Sequence, residues 1–401
     1  MSNRKRAALL LVALLMALLL GTCGSDDSPT GSDDIRRPPA GQQAFGGDNN
    51  DIGWSVAATS DGGCIIVGET YSLGVGNADV YLVKTNSSGK LLWQKTFGGL
   101  GRDVGFGVIQ LTDGGYVIAG ETESFGHGGT DMYLAKTDGM GTRLWEKTLG
   151  GPYGDGARAV AATADGGFIV VGWTGSYGDG GANVYVVKTD ALGNFVWHNV
   201  FGGDGDDWAY SVLPIATSEY VIGGYSESFV SGSGGLADFY LIKINPEGQL
   251  VWQHTYGNEY ANYGRSMIPA ADGGYVIAGS GIPGFYLVKA DSAGTLKWEA
   301  SPVADIFSGG YAVAPGLSGG YVMAGMTSTG FADTRDVYLI GTDSLGAKTW
   351  ERTYGGSLSD RAWSIARAAN GGYFIVGETD SYGAGLTDVY LIITDAQGDS
   401  P

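Results

Sequence analysis

The chain has 401 residues, with 42 acidic against 23 basic side chains and a formal net charge of −19 at pH 7. This acidic excess repels phosphate groups, so it argues against a nucleic-acid partner. The 72 glycines would suggest disorder if they were scattered, but they recur at fixed positions of an internal repeat and therefore mark turns and bulges.

The first 23 residues predict a targeting segment. Arg4-Lys5-Arg6 is a basic start, and Ala7 to Leu20 is an apolar run too short to span a membrane comfortably. Leu20-Gly21-Thr22-Cys23 resembles the lipobox of bacterial lipoproteins, although Thr22 departs from the usual small residue before the cysteine. The resemblance implies a lipid on Cys23 and a place in the bacterial cell envelope, at the outer membrane or the cell surface if the cell is Gram-negative. A plain secretory signal peptide is the alternative.

Residues 24–41 are rich in Ser, Asp, Pro and Gly and predict a flexible linker, because they offer too little apolar surface to fold. The other cysteine, Cys64, lies in an apolar segment. With Cys23 lipidated it has no disulfide partner, so we expect it to be a small core residue.

Residues 42–401 consist of seven copies of a unit of about 50 residues. The copies open on aromatic or apolar residues: Phe45, Phe97, Leu149, Phe201, Tyr256, Val303 and Tyr354. Copy two contains four short runs rich in Val, Ile, Tyr and Trp, at 105–111, 116–122, 131–136 and 143–149, separated by Gly, Asp or Ser clusters. Such runs are typical of strands. The pattern predicts an all-β fold, a seven-bladed β-propeller with four antiparallel strands in each blade.

Residue sizes support this strand order. The first strand carries small residues, as at 55–58, which suit the crowded axis. The fourth carries a tryptophan in six copies, which predicts packing between blades: Trp93, Trp145, Trp197, Trp252, Trp298 and Trp350.

The seventh copy ends before its fourth strand, whereas residues 42–47 match 94–99. We therefore expect the N-terminal strand to complete blade seven and close the ring.

The repeat resembles the secreted bacterial β-propeller repeats that read roughly DGGYIVAG, then DVYLVKTD, then WxxTFGG. The spacing of Asp138, Gly141 and Trp145 is also similar to the tryptophan-docking motif of quinoprotein dehydrogenase propellers and of barrel-assembly lipoproteins. Those families usually have eight blades, and this chain has seven copies. The resemblance implies architecture, since propellers host many unrelated activities.

Residues for catalysis are scarce. The three histidines, His127, His198 and His254, fall on outer strands or in a Gly-rich loop, and they do not assemble a Ser-His-Asp arrangement. A vicinal cysteine pair, expected of a quinoprotein, is absent. The sequence thus favours a protein that is not an enzyme.

Acidic residues form two columns at one end of the ring. One column precedes the first strand: Asp51, Asp103, Asp155, Asp207 and Asp360. The other opens the third strand: Asp79, Asp131, Asn183, Asp238, Asp336 and Asp388. We expect these side chains to accept hydrogen bonds from loop amides. Calcium is the alternative, with Asp204, Asp206 and Asp207 as the densest candidate ligands.

A third column, three residues after the first aspartates, mixes aromatic residues with arginine: Trp54, Phe106, Arg158, Tyr210, Arg265, Tyr311 and Trp363. A packing position should keep one residue character, so this mixture indicates partial exposure at the channel mouth and a candidate site for a sugar or a peptide. Rim packing with the arginine stems along apolar surface is the alternative.

Loop lengths predict a notch in the rim at blades four to six. The loop between the second and third strands is long in blade four, from Tyr225 to Asp238, and short in blade five, at 280–284. The segment that connects copy five to copy six, at 301–305, also lacks the Phe-Gly-Gly sequence found at 45–47, 97–99 and 201–203. We expect Tyr225, Tyr210, Arg265 and Tyr311 to line this notch.

The leading hypothesis is therefore a non-enzymatic, monomeric binding or scaffold propeller. A lipid anchor would hold it at a membrane, and it would present its loops to a protein or polysaccharide outside the cytoplasm. The alternatives are an assembly factor for envelope proteins, similar to the barrel-assembly lipoproteins, and a quinoprotein-like dehydrogenase. No cofactor is expected.

Overall fold

The computed structural model describes residues 36–215, 218–230, 236–282, 284–303, 308–328 and 334–401. The predicted signal peptide, Cys23 and most of the predicted linker lie outside these residues. The described residues form seven four-stranded antiparallel sheets and one short 3-10 helix, Leu317–Gly319. None of their helices is long and apolar enough to cross a membrane.

Each sheet is a blade whose strands follow one another in sequence. The first strands are β2 (Asp51–Ala58), β6 (Asp103–Gln110), β10 (Asp155–Ala162), β14 (Asp207–Pro214), β18 (Tyr263–Pro269), β22 (Gly309–Pro315) and β26 (Asp360–Arg367). The second strands are β3 (Cys64–Thr70), β7 (Tyr116–Thr122), β11 (Phe168–Thr174), β15 (Tyr220–Ser226), β19 (Tyr275–Gly281), β23 (Tyr321–Ser328) and β27 (Tyr373–Thr379).

The outer half of each blade is built from the next two strands. The third strands are β4 (Asp79–Thr85), β8 (Asp131–Thr137), β12 (Asn183–Thr189), β16 (Asp238–Ile244), β20 (Gly284–Ala290), β24 (Arg335–Thr342) and β28 (Asp388–Thr394). The fourth strands are β5 (Leu91–Phe97), β9 (Arg143–Leu149), β13 (Phe195–Phe201), β17 (Leu250–Tyr256), β21 (Leu296–Val303), β25 (Lys348–Tyr354) and, for blade seven, β1 (Gln42–Phe45).

The blades form a closed ring around a central channel. The first strand of each blade contacts the first strand of the next, and β2 contacts both β6 and β26. The predicted seven-bladed all-β propeller is confirmed. Strand β6 begins at Asp103 rather than at residue 105, because Asp103 pairs with Thr122 of β7.

The N-terminal strand closes the ring. Strand β1 pairs antiparallel with β28, with Gln42 opposite Ile392 and Phe45 opposite Val389. The Tyr390 hydroxyl donates a hydrogen bond to the Gln42 side chain, and the equivalent bond in blade one joins Tyr81 to Gln94 at 2.7 Å. The predicted closure is confirmed, since β1 has the strand pairing and the Tyr–Gln hydrogen bond of a fourth strand.

Contacts with blade seven also begin before the predicted start of the propeller at residue 42. The Gly383 amide donates to the Arg36 carbonyl at 2.9 Å, and the Ile393 amide donates to the Gly41 carbonyl at 2.8 Å. The last residues of the predicted linker therefore follow the edge of the blade.

The tryptophans of the fourth strands pack against the following blade. Trp93 of blade one lies 6.0 Å from Tyr116 of blade two, centroid to centroid. A Cβ placed on Gly141, which has φ +75°, would lie 2.7 Å from the Trp93 ring. The glycine is thus needed twice, for its backbone conformation and for the space that the indole occupies. The same contact recurs as Gly193 with Trp145, Gly248 with Trp197, Gly294 with Trp252, Gly346 with Trp298 and Gly398 with Trp350.

Second and third strands form the core, because both of their faces are covered by neighbouring blades. All seven residues of β3 and of β4 are buried. Cys64, the only free cysteine that the described residues contain, lies 3.2 Å from the Thr85 hydroxyl. Burial raises the pKa of its thiol to about 12, so it is the unreactive core residue that the sequence predicts.

Candidate ligand-binding site at the channel mouth

A β-bulge interrupts the first strand of every blade. In blade one the pairing of β2 with β3 skips Trp54, so that Gly53 and Ser55 face consecutive residues of β3. The skipped residues are the seven members of the mixed column: Trp54, Phe106, Arg158, Tyr210, Arg265, Tyr311 and Trp363. Because a bulge redirects the side chain of its extra residue, one backbone irregularity explains why all seven leave the blade packing and line the channel.

The seven residues and Trp208 form a closed ring of contacts, which we call the collar. Ring centroids are 5.5 Å apart for Trp54–Phe106, 6.2 Å for Trp208–Tyr210, 4.6 Å for Tyr311–Trp363 and 5.0 Å for Trp363–Trp54. The two arginines fill the gaps between these rings. The guanidinium carbon of Arg158 lies 3.9 Å from the Phe106 centroid and 5.3 Å from that of Trp208, and the guanidinium carbon of Arg265 lies 5.0 Å from the Tyr210 centroid and 5.6 Å from that of Tyr311. Each neighbour pair is within the range of aromatic or cation–π attraction.

The collar surrounds a cavity of about 550 Å³. Small residues that follow the bulges line it as well, including Ser55, Gly107 and Ser211. The seven bulged residues are all partly exposed, which agrees with the predicted position at the channel mouth. A cavity of this size with aromatic walls and a few polar groups is suited to binding a small ligand or the end of a chain.

On one side of the collar, buried glutamates pair with arginines. Arg158 Nη1 lies 2.7 Å from Glu121 Oε1, and Arg102 Nη2 lies 2.8 Å from Glu69 Oε2. In blade seven Arg361 pairs with Glu378. Burial raises the pKa of Glu69, and the nearby Arg102 charge opposes that rise.

These glutamates also accept hydrogen bonds from indoles. Trp54 Nε1 donates to Glu69 Oε1 at 3.1 Å, and Trp173 Nε1 donates to Glu121 Oε1 at 2.9 Å. The charge and hydrogen-bonding capacity of this side, which we call the carboxylate side, are therefore largely used within the protein.

The opposite side of the collar is aromatic. Trp208 stacks on Trp173 at 4.9 Å with an interplanar angle of 22°. Tyr210 stacks on Tyr225 at 6.0 Å, and Tyr225 meets Tyr263 edge-on at 4.9 Å. Tyr225 stands behind Tyr210 and supports it, outside the set of residues that line the cavity. We call this the aromatic side.

Several N–H donors of the collar have no acceptor. Arg265 Nε, Trp208 Nε1 and Trp363 Nε1 are buried and have no hydrogen-bond partner among the described residues. Within the same residues Arg265 forms none of the ion pairs. Unsatisfied buried donors cost stability. Two of these residues, Arg265 and Trp363, line the cavity, whereas Trp208 does not.

The two aspartate columns begin the first and third strands at this end of the ring and accept hydrogen bonds from the loops that precede them. Asp51 Oδ2 accepts from the Gly47 amide at 2.8 Å and from the Ser72 hydroxyl at 2.6 Å. The pattern recurs at Asp103, Asp155, Asp207 and Asp360. In the second column Asp79, Asp131 and Asp388 likewise accept from loop amides. The interpretation as loop acceptors therefore applies to both columns, with Asn183 as a donor instead.

Carboxylates from the two columns meet at four of the junctions between blades, beside Gly46, Gly98, Gly150 and Gly355. A Cβ on Gly46 would lie 2.3 Å from Asp388 Oδ1 and 2.4 Å from Asp51 Oδ2, which explains the glycine of the Phe-Gly-Gly motif. Burial, together with the charge of Asp51, raises the pKa of Asp388 to about 6.

The candidate calcium ligands do not come together. Asp207 is buried and bonded to the Gly203 amide and the Ser228 hydroxyl. Asp206 Oδ1 accepts from the Ala182 amide at 2.8 Å, and Asp204 is exposed. The described residues contain no group of three or more His, Cys, Asp or Glu side chains that would hold a metal ion.

Part of the predicted notch lies outside the described residues, namely 231–235, 283 and 304–307. Of its four predicted lining residues, Tyr210, Arg265 and Tyr311 lie on the cavity and Tyr225 does not. The histidines stay apart from the collar. His198 bonds to the Tyr185 hydroxyl at 2.9 Å on an outer strand, and His254 packs beside Trp252 at 5.3 Å.

Sequence reasoning missed the glutamates and the bulges. Glu69, Glu121 and Glu378 stand next to the last residue of the second strands, where they read as ordinary exposed strand ends. The bulges leave a weak trace, a Gly or Ala directly before each mixed-column residue, as at Gly53 and Ala157. That trace alone does not distinguish a bulge from close packing.

Comparison with solved structures agrees with the fold. The chain is similar to YCF48 bound to a D1 peptide, at 13% identity and a TM-score of 0.51, covering 90% of this chain and 100% of that one. It is also similar to puromycin hydrolase, at 13% identity and 0.51, covering 86% and 54%. The Pan2 WD40 domain of Neurospora crassa matches at 11% identity and 0.50, covering 88% and 92%.

No family profile matches the sequence, and no curated protein does. At the identities above, likeness shows the fold alone. The class of this protein is therefore defined by its architecture: it is a seven-bladed β-propeller with a collar of aromatic residues and arginines at one channel mouth.

Proposed function

We propose that this propeller is a non-enzymatic binding protein that takes a ligand, a protein or a polysaccharide, at the collar. One observation carries the proposal: seven equivalent bulges direct aromatic and arginine side chains onto one cavity, where buried donors have no acceptor in the described residues. Aromatic and arginine side chains dominate the binding energy of many interfaces. The three histidines lie apart from this cavity, which favours binding over catalysis.

The proposal includes a place outside the cytoplasm. Cys23, preceded by its basic and apolar segment, would carry a lipid that holds a monomeric propeller at the membrane of a bacterial envelope. The linker would separate the collar from the membrane surface. The acidic surface argues against a nucleic-acid ligand.

Binding at the collar is tested with the purified full chain on peptide and glycan arrays. The variant Tyr311→Ala with Trp363→Ala should weaken any specific binding about tenfold or more. The matched control is Met140→Ala with Leu192→Ala, which alters exposed apolar residues in the turns between third and fourth strands, at the other end of the ring. Binding that survives the collar variant, or that falls equally in the control, contradicts the proposal.

Anchorage is tested separately. Replacing Cys23 with serine should move the protein from the detergent-extracted membrane fraction to the soluble fraction, or leave it unprocessed. Unchanged fractionation and unchanged mass would show that Cys23 carries no lipid.

A further inference from the structure

Arg158 and Arg265 occupy the same position of the repeat but have different surroundings. Both are bulged residues of a first strand, in blades three and five. Arg158 is paired with Glu121, which stands on the second strand of the preceding blade. The residue equivalent to Glu121 in blade four is Tyr225, as the register of β15 shows. The protein thus supplies a carboxylate to one arginine and a phenol ring to the other.

Arg265 lies between two tyrosine rings, with its guanidinium carbon 5.0 Å from the Tyr210 centroid and 5.6 Å from the Tyr311 centroid. Its Nε is buried without an acceptor, and in the part of the chain that the structure describes it has no acidic partner. Burial raises the pKa of Tyr311, the charges of Arg265, Arg335 and Arg361 oppose that rise, and the charge of Glu378 adds to it.

The functional groups left open at the collar define the chemistry of a ligand. A planar guanidinium binds a carboxylate through two parallel hydrogen bonds. The Trp363 indole also lines the cavity, and the faces of Tyr210 and Tyr311 offer apolar contact. By contrast, Glu69, Glu121 and Glu378 are already paired.

A sugar fits this set of groups less well than a carboxylate. Sugar hydroxyls need acceptors as well as donors, and the collar carboxylates are occupied. A monoanionic carboxylate that is joined to apolar groups matches an arginine that lies between aromatic walls and has no acidic partner among the described residues. A chain end can also enter the collar along the channel axis, whereas an internal segment would have to enter and turn back.

We propose that Arg265 binds the C-terminal carboxylate of a peptide whose last residues are apolar or aromatic, with Tyr210 and Tyr311 as the walls of that site. This inference rests on the proposed function, because it assigns the chemistry of the ligand that the collar takes. It goes further in naming one residue and one charged group.

The experiment uses the full chain in detergent and a library of peptides that vary their last four residues, each made with a free carboxylate and as the C-terminal amide. We expect binders only among the free acids. Amidation, or the variant Arg265→Gln, should weaken binding about 10- to 100-fold, as the loss of a charge-assisted pair does. Tyr225→Glu should weaken it similarly, because it gives Arg265 the carboxylate that Arg158 already has.

Arg143→Gln is the matched control, because it removes one positive charge from an exposed outer strand and should change affinity less than about twofold. Melting temperatures of all variants identify any that fail to fold, and Tyr225→Glu gives a second route if Arg265→Gln does.

Two results separate this inference from the function on which it rests. If amides and acids bind equally, or Arg265→Gln binds as the parent does while Tyr311→Ala with Trp363→Ala does not, the carboxylate site is wrong and the collar function stands. If no free-acid peptide binds and a uronic-acid oligosaccharide does, the peptide assignment is wrong. If no collar substitution affects any ligand, both proposals fail.

Discussion

The carboxylate side and the aromatic side of the collar share one backbone and differ in a single position of the repeat. Blades seven, one and two place Glu378, Glu69 and Glu121 near the ends of their second strands, whereas blades three and four place Trp173 and Tyr225 there. On the first side each glutamate neutralises an arginine. On the second side Arg265 keeps its charge. The difference teaches that one strand position decides whether a bulged arginine pairs with a carboxylate, as Arg158 does, or lines the cavity without an acidic partner among the described residues, as Arg265 does.

The largest effect should come from removing β1, the outer strand of blade seven, whose Glu378 belongs to the carboxylate side. Deleting residues 24–47 removes β1, the buried Phe45 and the Tyr390–Gln42 bond. We expect the free energy of unfolding to fall by about 4–6 kcal/mol, since a lost core phenylalanine alone costs about 3–5 kcal/mol. Chemical denaturation measures this. Deletion of 24–35 is the control and should leave the midpoint unchanged; equal midpoints for both deletions would show that β1 does not stabilise the ring.

The next largest effect should come from breaking a buried ion pair. Glu121→Gln leaves the Arg158 guanidinium largely buried without its partner, and we expect a loss of about 2–4 kcal/mol of unfolding free energy. In a double-mutant cycle with Arg158→Gln, the double variant should be more stable than the sum of the single losses predicts. Additive losses would mean that the 2.7 Å contact contributes no coupling energy.

The pH dependence of the two sides should also differ. At the junction of blades seven and one, Asp388 faces Asp51, and its pKa is raised to about 6 in the folded protein. The equivalent pair at the junction of blades three and four is Asn183 with Asp207, both beside Gly202. A raised folded pKa favours the protonated, folded state, so this group stabilises the fold below pH 4 and loses that contribution as the pH rises through 6.

Replacing Asp388 with asparagine should remove this dependence. We expect the variant to be more stable than the parent at pH 7 by about 1–3 kcal/mol, from about 1.4 kcal/mol per pKa unit. The advantage should shrink to nothing near pH 4. Thermal unfolding of both proteins at several pH values measures the difference in their stability, and the contributions of the other carboxylates cancel in that difference. A constant difference from pH 4 to pH 7 would show that Asp388 titrates normally.

The smallest effect should be that of Arg265 on stability. Arg265→Gln removes two contacts with tyrosine rings, worth about 0.5–1 kcal/mol each, and also relieves a buried donor without a partner. We expect a change within about 1 kcal/mol, compared with the larger loss for Arg158→Gln. A loss as large as that of Arg158→Gln would mean that Arg265 has a structural partner, and the contrast between the sides would disappear.

The fold could be predicted from the sequence because its signals are repeated seven times. The four strand-like runs of each copy, the tryptophan column and the match of residues 42–47 to 94–99 each predict one structural feature, and all three features are present in the structure. Repetition lets a weak local pattern become specific, since chance does not reproduce it at one spacing.

The site could be predicted only in part. The mixture of residues in the Trp54 to Trp363 column indicated the channel mouth, because seven copies of one position meet on the axis. The pairing of Arg158 with Glu121 was missed, since it joins different blades and leaves no pattern in the sequence. That Arg265 has no acidic partner among the described residues was missed for the same reason. It depends on Tyr225, which occupies in blade four the position that Glu121 occupies in blade two.

The pairing of β1 with β28 also sets the order in which the molecule is completed. Tyr390 and Gln42 are 348 positions apart, and β1 is synthesised before the other strands of the propeller whereas its partner β28 is synthesised after them. Each earlier blade packs against its neighbours in the ring, so blades one to six can assemble as a curved open array during synthesis. Blade seven is completed after the other blades, and the long-range pairing of β1 with β28 should be the slow step of folding. Until then the collar is an incomplete arc, so a ligand that needs its whole circumference recognises only finished molecules.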